Sequence, residues 1–552
     1  MKFMKYSFLA CAFLLIIVFL QHFTLKEKTR KCSSISPVFL KSSSEIHDKF
    51  LVTPDWSIVY SVNDSNNYSL KIYNEGKIFQ LESHYENVFN PMLICGEISG
   101  LYDNKANEEY KSTSDELFKY IGANSIRGIY SFRTGNLILV QLQNDNGIYL
   151  IDFCNNTIIE LFEISQKLNG AAFSEIGNYL IISYDDKLVY VDNFTLETFN
   201  LACELEGEKL NPYLFEDCVY FVNNNRSEYY QVFKIDLKNT MNPQVQPVFK
   251  LEHDIRMPKI KDKYLYFIEV TKSEYLLKKV CLSSQKTEEI THQGVVYNYD
   301  FLKDESIVMA YSDVFTPRCV MIYNEPYKSL KNISGSRIDH DLSFQFLKSD
   351  SGETYAYELN KEKSNNKGVI LYVRPGGPHA DFSPRWDAIL MNLCNNGYIV
   401  LAPNFHMASG YGKTYYNSTN DQALADLKEW KKYIQNKYYN LPLFCFSISS
   451  GNILMEKLIT QDPDGINAAV SLFGIPIETS ETDFSIPKLY ILGENDPFID
   501  FSDRSKLLRM KKILHPSISI VSYTDEGHWF RKKNNLQDAV SQILLHFCLN
   551  SD

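Results

Sequence analysis

The sequence contains no C-x-x-C pair, and none of its 11 cysteines lies near histidines at metal-ligand spacing. Neither a zinc site nor a dense disulfide framework is indicated, and no metal or organic cofactor is implied. Basic charge is also scarce: Lys and Arg number 56 against 67 Asp and Glu, a net charge of -11 that argues against non-specific nucleic-acid binding. Gly (24) and Pro (19) are modest while Tyr (37) and Phe (35) are plentiful, which points to a strand-rich chain. The 45% hydrophobic and 22% charged content is that of an ordinary globular protein, and 552 residues exceed what one core organises. Two or three domains are expected.

Residues 6–25 (YSFLACAFLLIIVFLQHFTL) carry no charge and are long enough to span a bilayer. Gln21-His22-Phe23 supplies none of the small residues that usually follow a cleaved signal, so an uncleaved membrane anchor is the expectation, with a cleaved export signal as the alternative. Residues 26–44 read as a linker. Sequons at Asn63, Asn67, Asn155, Asn193, Asn225, Asn332 and Asn417 would suit an exported chain, although so Asn- and Ser-rich a sequence yields about that many by chance.

From residue 45 to 335 one pattern recurs: a strand, a turn with Gly, Asp or Asn, an apolar strand, a strand ending near Asp, and a polar fourth strand. FSEIGNYLIISYDDKLVYVDNFTLETF from Phe173 matches FRTGNLILVQLQNDNGIYLIDFCNNTIIEL from Phe132 and FEDCVYFVNNNRSEYYQVFKIDL from Phe215. Similar starts fall at Trp56, Ile260 and Phe301, and a degenerate unit fits around Leu93. Seven four-stranded repeats of about 40–45 residues predict a seven-bladed β-propeller, because each sheet can bury its faces only against its neighbours in a ring. No WD or kelch signature is present.

Residues 336–552 alternate apolar strands (369–373, 398–402, 443–446, 468–473, 488–492, 518–523) with amphipathic helices (386–395, 421–435, 452–460, 502–514, 536–549). This predicts an α/β domain with a parallel sheet covered on both faces and catalytic loops at the carboxyl ends of its strands. The strand 443–446 runs into Ser447-Ile448-Ser449-Ser450-Gly451, an approximation to the G-x-S-x-G nucleophile elbow with Ser449 as candidate nucleophile. Two later strands run out into Gly493-Glu494-Asn495-Asp496-Pro497 and Asp525-Glu526-Gly527-His528. The chain order Ser, Asp, His is that of α/β-hydrolases: His528 would take the serine proton and Asp496 would hold the imidazole tautomer. The N–H of Ser450 and that of Gly377, in the glycine turn after strand 369–373, are the candidate oxyanion donors.

The blocks R-P-G-G-P-H-A (374–380), L-A-P-N-F-H-M-A-S-G-Y-G-K (401–413), S-I-S-S-G (447–451), G-E-N-D-P (493–497) and D-E-G-H-W-F-R-K (525–532) resemble, in order, those of the prolyl oligopeptidase family of serine peptidases, most of all its acylaminoacyl-peptidase-like branch. The resemblance implies a seven-bladed propeller before an α/β-hydrolase domain, a triad of Ser449, Asp496 and His528, and an oxyanion hole from Gly377 and Ser450. It also implies short peptides as substrates. Departures occur at Pro375, at His406-Met407-Ala408, and at Ser447 and Asn452, where the family usually has glycines. Asp496 follows Ser449 by only 47 residues, so the family's usual pocket-lining excursion is shortened. The expectation is a membrane-anchored or exported serine peptidase acting on short peptides. The alternatives are an esterase of the same fold, or a weakly catalytic binding protein built on the propeller.

Overall fold

The computed structural model describes residues 45–551, leaving aside connecting stretches between strands up to residue 194 and residues 241–242, 272–273, 334–340, 352–353, 362–365, 375–382, 475–485, 497 and 499–516. The apolar run 6–25, the linker 26–44 and the helix expected at 502–514 therefore lie outside the described residues. Among the described residues no helix is long and apolar enough to cross a membrane.

Residues 45–332 form antiparallel sheets of three or four strands, each strand joined to the next in sequence. Four sheets have four strands and one, Val88–Ile94 with Glu97–Tyr102 and Lys111–Ser112, has three. A further eight-stranded sheet consists of two four-stranded halves joined through a single parallel pairing of Tyr275 with Val295. Seven units result among the described residues. Their hairpins turn where short polar residues accept a left-handed backbone, as at Asp185 (φ 48°) and Asp262 (φ 53°).

In units such as the third and sixth the second strand is apolar on both faces because a neighbouring sheet lies on each side. Leu137–Leu142 is buried throughout, and Tyr264–Val270 nearly so. Outer strands such as Thr157–Glu163 and Ser329–Asn332 are half-exposed to exposed, with no residue fully buried. Each fully buried Val, Leu or Ile contributes roughly 1.5–3 kcal/mol, so the inter-sheet seams hold the array together. The last seam joins the ends of the array: Phe50, Val52, Ile58 and Tyr60 of the first unit pack with Val308, Ala310, Val320 and Ile333 of the last. The units form a closed ring.

After residue 341 the chain builds one eight-stranded sheet in the order Leu342–Lys348, Tyr355–Lys361, Tyr398–Asn404, Gly368–Val373, Leu443–Ile448, Ile466–Leu472, Lys488–Gly493 and Ile518–Tyr523. Tyr355–Lys361 pairs antiparallel with both its neighbours, and the six strands from Tyr398–Asn404 onward in this order run parallel. Helices Ala388–Asn395 and Lys533–Leu549 cover one face, where Leu390, Leu393, Ile543 and Phe547 meet Phe444 and Val470. Helices Asn420–Lys437 and Gly451–Gln461 cover the other, where Leu427, Trp430 and Leu458 meet Val369 and Cys445. Thr419 and Gln422 form a reciprocal capping box that starts the longest helix. Cys548, on the C-terminal helix, is disulfide-bonded, while Cys203, Cys218, Cys281, Cys319, Cys394 and Cys445 are free.

The two domains meet along the segment after strand Tyr398–Asn404. Gly410 N–H donates to Asp254 Oδ2 (3.3 Å), and Thr414 donates its N–H and hydroxyl to the Glu228 carboxylate (2.6 and 3.0 Å). Tyr416 bonds Asn224 and enters the apolar seam between the fifth and sixth units. A second contact lies at Trp386, whose N–H donates to Ser312 Oγ (3.3 Å).

Candidate active site

Strand Leu443–Ile448 is buried along its length and ends in a turn that helix Gly451–Gln461 leaves almost at once. Between them Ser449 adopts φ 53°, a left-handed conformation that costs a non-glycine residue on the order of 1–3 kcal/mol and lifts its hydroxyl clear of the sheet. The turn is held by Ser449 N–H donating to Leu472 O (2.9 Å) and Asn452 N–H donating to Ser449 O (3.1 Å). It is also tight. A Cβ on Gly451 would lie 2.5 Å from the Arg374 carbonyl oxygen and closer still to that of Val373, so glycine is required by proximity rather than by φ. Ser447, in place of the elbow's usual first glycine, is fully buried and faces the Asn452 side chain at 3.4 Å.

The next strands supply the partners. Asp496 follows Lys488–Gly493 and His528 follows Ile518–Tyr523, and parallel pairing of these strands brings the two segments side by side. His528 Nδ1 lies 2.8 Å from Asp496 Oδ2 and His528 Nε2 lies 2.8 Å from Ser449 Oγ. With Nδ1–H donating to the carboxylate, Nε2 is left as acceptor for the serine hydroxyl. The Asp496 side chain is fully buried and that of His528 is 6% exposed, so the pair interacts in a weakly screened setting. Asp496 Oδ1 accepts the Phe498 N–H (3.0 Å), which fixes the carboxylate plane.

Two groups not singled out in the sequence support this geometry. Glu526, fully buried, accepts the N–H groups of Arg531 (2.9 Å) and Lys532 (3.1 Å) and the Asn535 amide (2.8 Å), and so closes the loop that carries His528. Its own carbonyl accepts Asn495 N–H (3.0 Å), which ties that loop to the Asp496 turn. Glu456, on the helix that follows Ser449, pairs with Lys488 (2.5 Å) and accepts the Tyr490 hydroxyl (2.5 Å) on the strand that leads to Asp496. This buried cluster sets helix against strand. The sequence hints were weak: Glu526 lies inside the histidine block, whereas nothing local marks Glu456.

Ser450 caps helix Gly451–Gln461 in αR geometry, so its N–H belongs to a helix N-terminus beside Ser449, where negative charge is favoured. Gly377 lies outside the described residues; the preceding Arg374 is held by the Ser383 carbonyl and lies over the Tyr357 and Tyr372 rings. Among the described residues no group of three or more His, Cys, Asp or Glu could hold a metal ion.

Residues 354–542 match the model of the dienelactone hydrolase family. Dipeptidyl-peptidase 5 of Porphyromonas endodontalis is 23% identical over 229 residues, a match that spans 38% of this chain and 30% of the relative. The whole fold is similar to that of a prolyl endopeptidase (TM-score 0.76, 11% identity, 96% of this chain and 92% of the other). It is also similar to a puromycin-hydrolysing peptidase of Mycobacterium tuberculosis (TM-score 0.73, 14% identity, 94% and 96%) and to the acylaminoacyl peptidase of Pyrococcus horikoshii (TM-score 0.66, 12% identity, 91% and 95%). With its ring of antiparallel sheets before a domain that matches a hydrolase family model, the chain resembles the prolyl oligopeptidase family of serine peptidases.

Proposed function

We propose that the chain is a serine peptidase that hydrolyses short peptides through an acyl-enzyme on Ser449. The unbroken chain of contacts from Asp496 through His528 to Ser449, at 2.8 Å each, carries the reading. His528 takes the Ser449 proton as the oxygen attacks the scissile carbonyl, then delivers it to the departing amine. Water, deprotonated by the same imidazole, releases the acyl group. Asp496 keeps Nδ1 protonated and stabilises the imidazolium. The N–H groups of Ser450 and Gly377 would receive the oxyanion, each worth roughly 2.7–4 kcal/mol in a comparable site. The seven-unit ring then acts as a propeller that restricts the approach of long or folded polypeptides.

A second reading, an esterase, is favoured by the match of residues 354–542 to a family named for lactone hydrolysis. For location we propose that residues 1–25 anchor or export the protein, and a disulfide at Cys548 suits an oxidising compartment. A fluorophosphonate that labels Ser449, together with a panel of blocked peptides, free-amino peptides and simple esters, tests the reading. Turnover of peptides lost in Ser449→Ala supports it; labelling with turnover of esters alone would replace it with the esterase.

A further inference from the structure

Nine large apolar side chains stand exposed among the described residues, and two of them, Phe498 and Trp529, lie against the same imidazole. The Phe498 ring sits 5.0 Å from that of His528 at 72°, and the Trp529 ring 5.2 Å away at 86°. Both meet it edge-on, a favoured arrangement for aromatic pairs. A third ring, Phe473, is buried and completes the aromatic surroundings of His528 at 6.0 Å. Single exposed apolar residues are ordinary on any protein surface; two on one buried catalytic group are not.

Both exposed rings sit on backbone already pinned. Phe498 N–H donates to Asp496 Oδ1, and Trp529 follows His528 in the loop that Glu526 closes. Such rings lose little freedom when a ligand docks on them, which makes them effective anchors. Because they touch His528, any partner that covered them would also cover the nucleophile, so the occupant that fits is the substrate itself. A bulky apolar side chain placed there would exclude water from the Ser449–His528 pair and strengthen its hydrogen bonds.

We propose that Phe498 and Trp529 form the recognition site for an aromatic or large aliphatic side chain beside the scissile bond. The proposal rests on the serine-hydrolase reading above. Its test uses the full chain and two panels of blocked peptides in which the residue on either side of the scissile bond is Phe, Leu, Ala or Gly. The quantity read is the selectivity ratio within each variant, so that a general change in activity cancels. Wild type is expected to prefer Phe or Leu to Gly by roughly tenfold or more in kcat/KM on one side of the bond. In Phe498→Ala or Trp529→Ala, or both, the ratio falls to within roughly threefold, chiefly through KM, while Phe498→Leu keeps most of it. At 66% and 51% exposure neither side chain supports the core, and melting midpoints close to wild type will verify this. No preference in wild type, or one undiminished in both alanine variants, overturns the proposal. Failure of a fluorophosphonate to label Ser449 in wild type would overturn the underlying reading and the proposal with it.

Discussion

Replacing Gly451 with alanine sets two effects of opposite sign against each other. Gly451 opens the helix Gly451–Gln461, where alanine is favoured over glycine by up to about 1 kcal/mol, so helix propensity alone predicts a more stable protein. The space does not allow it. The added methyl would lie 2.5 Å from the Arg374 carbonyl oxygen, roughly 1 Å short of ordinary contact, and nearer still to that of Val373. Both are backbone atoms at the end of the fully buried strand Gly368–Val373, which cannot swing aside as a flexible side chain would. Overpacking of this kind costs about 1–3 kcal/mol, so even with the full propensity gain the net effect is destabilisation by up to about 2 kcal/mol. The larger effect is on rate. Relief of the clash must push the elbow away from the strand, and a displacement near 1 Å of a reacting group costs on the order of a hundredfold. Thermal melts and kcat/KM on one peptide measure both. A Gly451→Ala protein that is at least as stable as wild type and within about threefold of its activity would refute the close-approach argument.

Other expectations follow from the same geometry. Asp496→Asn should lower kcat on the order of 10⁴-fold, because an amide that donates to Nδ1 leaves the proton on Nε2, where it faces Ser449; loss of less than tenfold would remove Asp496 from the site. Ser449→Ala should abolish turnover and fluorophosphonate labelling with the fold intact, while Ser447→Ala, at a buried hydroxyl with one long contact to Asn452, should keep most activity. Labelling gels and circular dichroism distinguish the two, and reversed phenotypes would shift the register of the elbow. His546 is buried on the C-terminal helix, and burial pushes its pKa down from 6.5 to about 4. The imidazole is neutral in the fold and the unfolded chain binds the proton more readily, so its stabilising contribution is complete above about pH 6.5 and is lost as pH falls toward 4. His546→Phe should flatten that limb of a urea-midpoint profile between pH 7 and 4.5; an unchanged slope would contradict it.

The repeat was legible because each unit needs an apolar second strand between two neighbours, and turns such as Asp185–Asp186 need residues that tolerate positive φ. The order Ser449, Asp496, His528 could likewise be read, since all three follow apolar strands and a parallel sheet aligns strand ends. The first two strands of the hydrolase sheet escaped notice. Leu342–Lys348 is a half-exposed edge, and Tyr355–Lys361 contains Glu358, a buried carboxylate made tenable by Lys437 (2.9 Å) and Tyr438 (2.7 Å) far along the chain. No local pattern announces such a partner. The same holds for Glu456, whose Lys488 lies 32 residues away. The helix cover of both faces, by contrast, followed from the alternation of strands and helices, although the periodicity placed the start of the last helix, Lys533–Leu549, three residues late.

The seam that closes the ring has a consequence for the order of synthesis. Phe50, Val52, Ile58 and Tyr60 find their partners only when Val308, Val320 and Ile333 have been made, about 280 residues later. At roughly 5–20 residues per second, the first unit waits on the order of 15–60 s with one apolar face unmatched. Every other unit finds its neighbour as soon as the next repeat is complete. The nascent chain therefore carries its most aggregation-prone surface at its oldest end, and slowing translation between residues 60 and 300 should lower the yield of folded protein more than an equal delay after residue 340.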